Sequence, residues 1–115
     1  MKDFKNIKLS KDERRAIEAA ATMLKTRFSA KEVILFGSKA RGDSDQHSDI
    51  DLLLISPNPL RWKEEKAVVE ALFDTGIEND VIFSPLFTSS NEWEGGIFKQ
   101  FLIYQEIIKD GAIVS

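Results

Sequence analysis

Leu52-Leu53-Leu54-Ile55 is an apolar run without alternation, and it constrains the fold more than any other stretch of the chain. A strand open to water on one face alternates apolar with polar residues; one that does not alternate is covered on both. Residues 49–56 are therefore expected to form a central strand, flanked by other strands and covered by helices. Yet this strand opens with two carboxylates, Asp49 and Asp51. Side chains alternate along a strand, so both acids face one way and Ile50 the other. Their α-carbons lie roughly 7 Å apart. At an effective dielectric of 20, two charges at that distance repel by about 2 kcal/mol. A strand cap followed by a solvated acid is one reading of Asp-x-Asp. The other is a divalent cation among the oxygens, and Mg²⁺ suits hard oxygen ligands that it shares with substrate phosphates.

The preceding turn favours the second reading. Gly37-Ser38 follows the short apolar stretch 33–36, and ten residues separate it from Asp49. Glycine lets a backbone approach a phosphate closely, and successive N–H groups with the Ser38 hydroxyl can donate to its oxygens. A phosphate-gripping turn beside paired carboxylates points to a nucleoside triphosphate with Mg²⁺.

Around these two features the chain reads as α-β-β-α-β-α, an α+β fold with a small mixed sheet and helices packed on it. Ser10 and Glu13 form a capping box, and Ile17, Ala21, Leu24 and Phe28 carry the first helix to about residue 28. Asn58 caps a second helix with Pro59 at its first position; Val68, Val69, Leu72 and Phe73 form its apolar face, and Gly76 ends it. Residues 77–83 form a third strand with Asp80 inside it, stopped by Pro85. Residues 97–109 form the last helix, with Phe98, Phe101, Leu102 and Ile108 as its buried stripe and Gly111 as its cap. A chain of 115 residues fits one domain over 1–115.

Apolar residues make up 43% and charged residues 30%, ordinary globular usage. No apolar run approaches a membrane span, and residues 1–10 lack a signal-peptide apolar region, so a cytoplasmic protein away from membranes is expected. Without cysteines there are no disulfides or thiolate metal sites. The net charge of −3 is unevenly spread: residues 1–31 carry nine Lys or Arg against four acids, and the rest seven against fifteen. Only the N-terminal segment could neutralise phosphates, and a solvated helix face explains it as well, so no direct nucleic-acid partner is expected.

The residues Gly37-Ser38, ten positions, then Asp49-Ile50-Asp51 resemble the signature of the minimal nucleotidyltransferases, a branch of the DNA polymerase β superfamily. The flanking LFGSKARGD and SDIDLLLI agree with it. The resemblance implies a nucleotidyltransferase fold in which Gly37 and Ser38 bind the triphosphate. Asp49 and Asp51 hold two Mg²⁺ ions, and Arg41 offsets phosphate charge. The family's third carboxylate lies on the next strand, which makes it Asp80; Glu78, on the same face of that strand, is the competitor. Asp80 would bridge the second ion and accept the acceptor's proton. His47 reads as a solvated loop histidine, and Asp43 and Asp45 as turn residues. Trp62 and Trp93 read as packing aromatics.

The implied reaction moves a nucleoside monophosphate from NTP, with ATP as the expected co-substrate, to an acceptor hydroxyl. Stand-alone members of this size resemble the antitoxins of pairs whose toxin is a helical HEPN-type ribonuclease, which they adenylylate. Such a toxin is the expected partner, held through the apolar C-terminal helix and the basic N-terminal helix. The alternatives are an enzyme acting on a small hydroxylated molecule, and a partner that neutralises the toxin by contact alone.

Overall fold

In the computed structural model, which describes residues 1–43, 45 and 48–115, helix α1 (Lys11–Phe28) begins at the expected capping box. Ser10 Oγ accepts from the Glu13 N–H at 3.0 Å, and a Glu13 carboxylate oxygen accepts from the Ser10 N–H at 2.9 Å. Ala16, Ile17, Ala20, Ala21 and Leu24 recur at helical spacing and are buried. The reading of His47 falls outside the described residues.

Among the described residues, five strands, β1 (Lys2–Asp3), β2 (Glu32–Phe36), β3 (Ile50–Ser56), β4 (Phe83–Ser89) and β5 (Ala112–Ile113), make one mixed sheet in the order β1-β5-β2-β3-β4. β3 lies antiparallel to β2 and parallel to β4. It has a neighbour on each side, and Leu52, Leu53, Leu54 and Ile55 are at most 2% exposed, as their unbroken hydrophobicity requires. Period-two alternation splits the run between two cores. Val33, Leu35, Ile50, Leu52 and Leu54 pack under α1 and α3 (Trp62–Asn79). Ile34, Phe36, Leu53 and Ile55 pack with Phe98 and Ile107 on the opposite face, where α4 (Ser90–Glu94) and α5 (Leu102–Asp110) lie. No helix among the described residues is long and apolar enough to cross a membrane.

Several expectations change. Helix α3 starts at Trp62, not after Asn58, because the Glu64 carboxylate reaches back to the Arg61 N–H at 3.0 Å. It also runs through Gly76 to Asn79. Gly76 sits inside the helix because a side chain there would meet the Val81 carbonyl, whose residue turns back so that its N–H donates to Gly76 O at 2.9 Å. The strand expected over 77–83 is therefore the end of α3, and Asp80 is the helix's left-handed C-cap, with φ +56°. The strand itself, β4, starts at Phe83 and continues through Pro85, which its edge position tolerates.

The last helix is likewise broken. A 3₁₀ turn (Phe98–Gln100) is followed by extended backbone at Phe101, which shifts the phase of α5. Phe98 and Ile107 are buried, whereas Phe101, Leu102 and Ile108 face water. Val69 and Phe73 also turn outward while Val68 and Leu72 fill the core. Trp93 packs against Phe98 and Tyr104, but Trp62 is exposed.

Candidate active site

β2 ends at Phe36 and the chain turns directly into a short helix, α2 (Gly37–Arg41), where the sequence had suggested only a turn. Gly37 adopts φ +73°, a region that disfavours a side chain, and a Cβ there would overlap the Asp51 carboxylate. The glycine is required twice, for its backbone and for its space. It brings the Gly37-Ser38 turn into contact with the acid two residues along from Asp49.

Asp51 lies opposite Phe36 on β2 and beside Ser84 on β4. Burial and the neighbouring Asp49 charge push its carboxyl above the ordinary range, and Arg41 opposes the rise. The structure thus sets Gly37, Asp49 and Arg41 each near Asp51. Ser38 is half-buried in the first turn of α2, and its carbonyl accepts from the Gly42 and Asp43 N–H groups. Arg41 is exposed. Its Nε donates to Asp43 Oδ2 at 3.1 Å, and this bond, with Asp110 and Glu106 of α5 nearby, holds the guanidinium above its usual value.

A cation fits this arrangement. Two hard oxygen donors of like charge lie close enough for Asp49 to be felt at Asp51, and Mg²⁺ commonly takes one or two carboxylates plus substrate phosphates. Among the described residues no three acidic or histidine side chains cluster closely enough to hold an ion without such phosphates. Asp80 accordingly stands apart from the pair. On β4, Ser84 stands beside Asp51, and Ile82, whose carbonyl accepts from the Ile50 N–H at 2.8 Å, comes next toward Asp49. The strand brings no third carboxylate there. Asp80 instead lines a groove between α1 and α3, and Glu78 is exposed on α3.

Lys39 is a residue the sequence reading missed. It is 3% exposed, forms an ion pair with Glu13 of the capping box, and donates to the Asp45 carbonyl at 2.8 Å. One lysine thereby ties α1, α2 and the loop before Asp49 together. Nothing local in the sequence pairs positions 13 and 39; their contact is tertiary.

Residues 17–110 match the family model described as Nucleotidyltransferase domain. The "Putative protein adenylyltransferase MJ0141" of Methanocaldococcus jannaschii is 35% identical over 66 residues, 57% of this chain and 65% of that protein. The chain thus spans just under two-thirds of that relative's length. Among solved structures, a toxin-antitoxin with AMP-PNP aligns with TM-score 0.60 at 15% identity, covering 89% of this chain and 72% of its own. A toxin-antitoxin MntA-HpeT mutant aligns with TM-score 0.59 at 13% identity over the same shares. These two likenesses are of fold.

Proposed function

The chain belongs to the nucleotidyltransferase domain family, and from that premise we propose that it transfers AMP from ATP to a hydroxyl of a protein partner, a HEPN-type toxin, in the cytoplasm. One observation carries the reading: the Gly37 backbone is packed against the Asp51 carboxylate, which supports reading the turn as a phosphate grip beside a metal-binding acid. The resemblance to a protein adenylyltransferase supports AMP and a protein acceptor, and the fold shared with toxin-antitoxin structures supports a toxin partner.

Asp49 and Asp51 would hold Mg²⁺, which when bound neutralises phosphate charge and lowers the pKa of the acceptor hydroxyl. Gly37 and Ser38 bind the triphosphate, and Arg41 exchanges its Asp43 partner for phosphate oxygens. Positioning and charge neutralisation supply the catalysis, with no covalent enzyme intermediate. The resemblance implies a second ion with Asp80 as a third ligand, but Asp80 caps α3 apart from the pair, so its proposed role is reduced to taking the acceptor's proton. Asp80→Ala should then eliminate turnover and spare nucleotide binding, whereas Glu78→Ala keeps near-normal rates. The exposed Phe101, Leu102 and Ile108 hold the body of the partner.

The test is co-expression with a HEPN-type toxin followed by intact mass of both chains. A gain of one AMP on the toxin, lost with Asp49→Ala, supports the reading. A toxin that is silenced in complex without any added mass would make the chain a contact antitoxin and sink it.

A further inference from the structure

Lys39 is 3% exposed, yet the proposed transfer gives it no task. Taking an ammonium out of water is costly, and a buried ion pair is often no more stable than an apolar pair of the same size. Position is what such a pair can supply instead. Helix α2 has five residues, too few to hold its own orientation. Lys39 fixes it from behind. The ammonium pairs with Glu13 of α1, and α1 packs on the sheet face of Ile50 and Leu52, opposite the face of Asp51. Lys39 is therefore directed away from Asp51.

Its second bond leads back to the site through the chain. The ammonium also donates to the Asp45 carbonyl at 2.8 Å, and the same carbonyl accepts from the Ser48 N–H at 3.2 Å. Ser48 closes the turn a second time, because its hydroxyl oxygen accepts from the Asp45 N–H at 3.1 Å. The next residue is Asp49, and the one after it begins β3. A set of bonds thus runs from the α1 capping box through Lys39 and the Asp45–Ser48 turn to the residue before the first carboxylate. Ser38, in the phosphate turn, adjoins Lys39 in the chain. One buried ammonium is fastened to both walls of the site.

We propose that Lys39 is a positioning residue that sets the Ser38 turn against Asp49, and so sets the affinity of the site for a divalent cation and a triphosphate. The inference rests on the transfer reading, in which Asp49 holds the metal. Groups that orient a metal ligand without touching the ion typically change metal affinity by roughly 10–100-fold when they are removed.

Lys39→Met keeps an unbranched stem and loses the donor. Mn²⁺ titration read by electron paramagnetic resonance, with and without a non-hydrolysable ATP analogue, should show binding about ten-fold weaker than wild type. Leu24→Ala is the control: Leu24 is fully buried under α1, away from this network. That variant should lose stability and keep wild-type Mn²⁺ affinity. Ser48→Ala, at a partly buried position, removes one bond of the turn and should weaken Mn²⁺ binding about three-fold. Hydrogen exchange at the Ser48 amide reports the turn without any metal, and it should be about ten-fold faster in Lys39→Met than in Leu24→Ala. A folded Lys39→Met with wild-type Mn²⁺ affinity, or an equal loss in Leu24→Ala, overturns the positioning role. If Lys39→Met does not fold, Ser48→Ala decides, and unchanged affinity there overturns it. Failure of wild type to bind Mn²⁺ and the ATP analogue sinks the transfer reading, while exchange at Ser48 still judges whether Lys39 holds the turn.

Discussion

A methyl group added at Gly37 would meet the Asp51 carboxylate and would also strain a left-handed backbone. Gly37→Ala should therefore cost about 1–2 kcal/mol from the backbone, plus whatever displacing Asp51 adds. Urea titration measures the stability, and Mn²⁺ binding should fall in parallel; a stable variant with intact binding would mean the turn and the acid are independent. Asp51 makes the opposite prediction. Its carboxyl is pushed up by burial and by Asp49, so the folded state holds this proton more tightly than the unfolded chain does. The penalty is present in full above the raised pKa and disappears as pH falls below the unfolded value of 3.8. In metal-free buffer Asp51→Asn should melt higher than wild type at neutral pH, by about 1 kcal/mol or roughly 4 °C once solvent screening is allowed for. The gap should close below pH 3.8. A lower melting temperature at neutral pH would assign Asp51 a structural role.

Between elements, the Lys39–Glu13 pair joins α1 to α2 and reaches the loop before Asp49. Burial raises the Glu13 carboxyl, but the Lys39 ammonium and the Ser10 N–H outweigh it and hold it below its ordinary value. A lowered carboxyl stabilises the fold above its unfolded pKa of 4.5, and that contribution is lost as pH falls through the folded value. Removing one member of a buried pair typically costs 3–5 kcal/mol, and Glu13 is partly solvated, so Lys39→Met should lose about 2–3 kcal/mol at pH 7. The double variant Glu13→Gln with Lys39→Met should lose less than the sum of the single losses. Urea curves at pH 7 and pH 3 check both points, because the gap between wild type and Lys39→Met should narrow in acid. Strict additivity would show that the two side chains are uncoupled.

At the scale of the whole molecule, the C-terminal strip closes the sheet. Ala112 is fully buried, β5 pairs with both β1 and β2, and Val33 exchanges backbone hydrogen bonds with Val114 and Ser115 at 2.8 and 2.9 Å. Deleting residues 112–115 should free β1 as well and lower stability by about 2–3 kcal/mol, roughly 8 °C. A shift under about 2 °C would show that β2 and β3 hold without it. The same closure fixes the end of α5, where Asp110 and Glu106 act on Arg41, so the deletion should also weaken ATP-analogue binding.

What the sequence determined by itself was local or periodic. The capping box at Ser10 and Glu13 lies within one helical turn, and the burial of Leu52 through Ile55 follows from an apolar run that allows no wet face. The placing of Asp51 on the sheet face opposite Ile50 and Leu52 follows from the two-residue period. Tertiary structure decided the rest. Whether residues 77–83 form helix or strand depended on Gly76 being close to Val81, a contact that no periodicity reports. With that boundary moved, Asp80 left the strand face and joined a groove. The phase of α5 turned on one extended residue, Phe101, which put Leu102 in water and Ile107 in the core. The Lys39–Glu13 pair, and the stripe of Val69, Phe73 and Ile77 left uncovered, exist only because elements distant in the chain pack where they do.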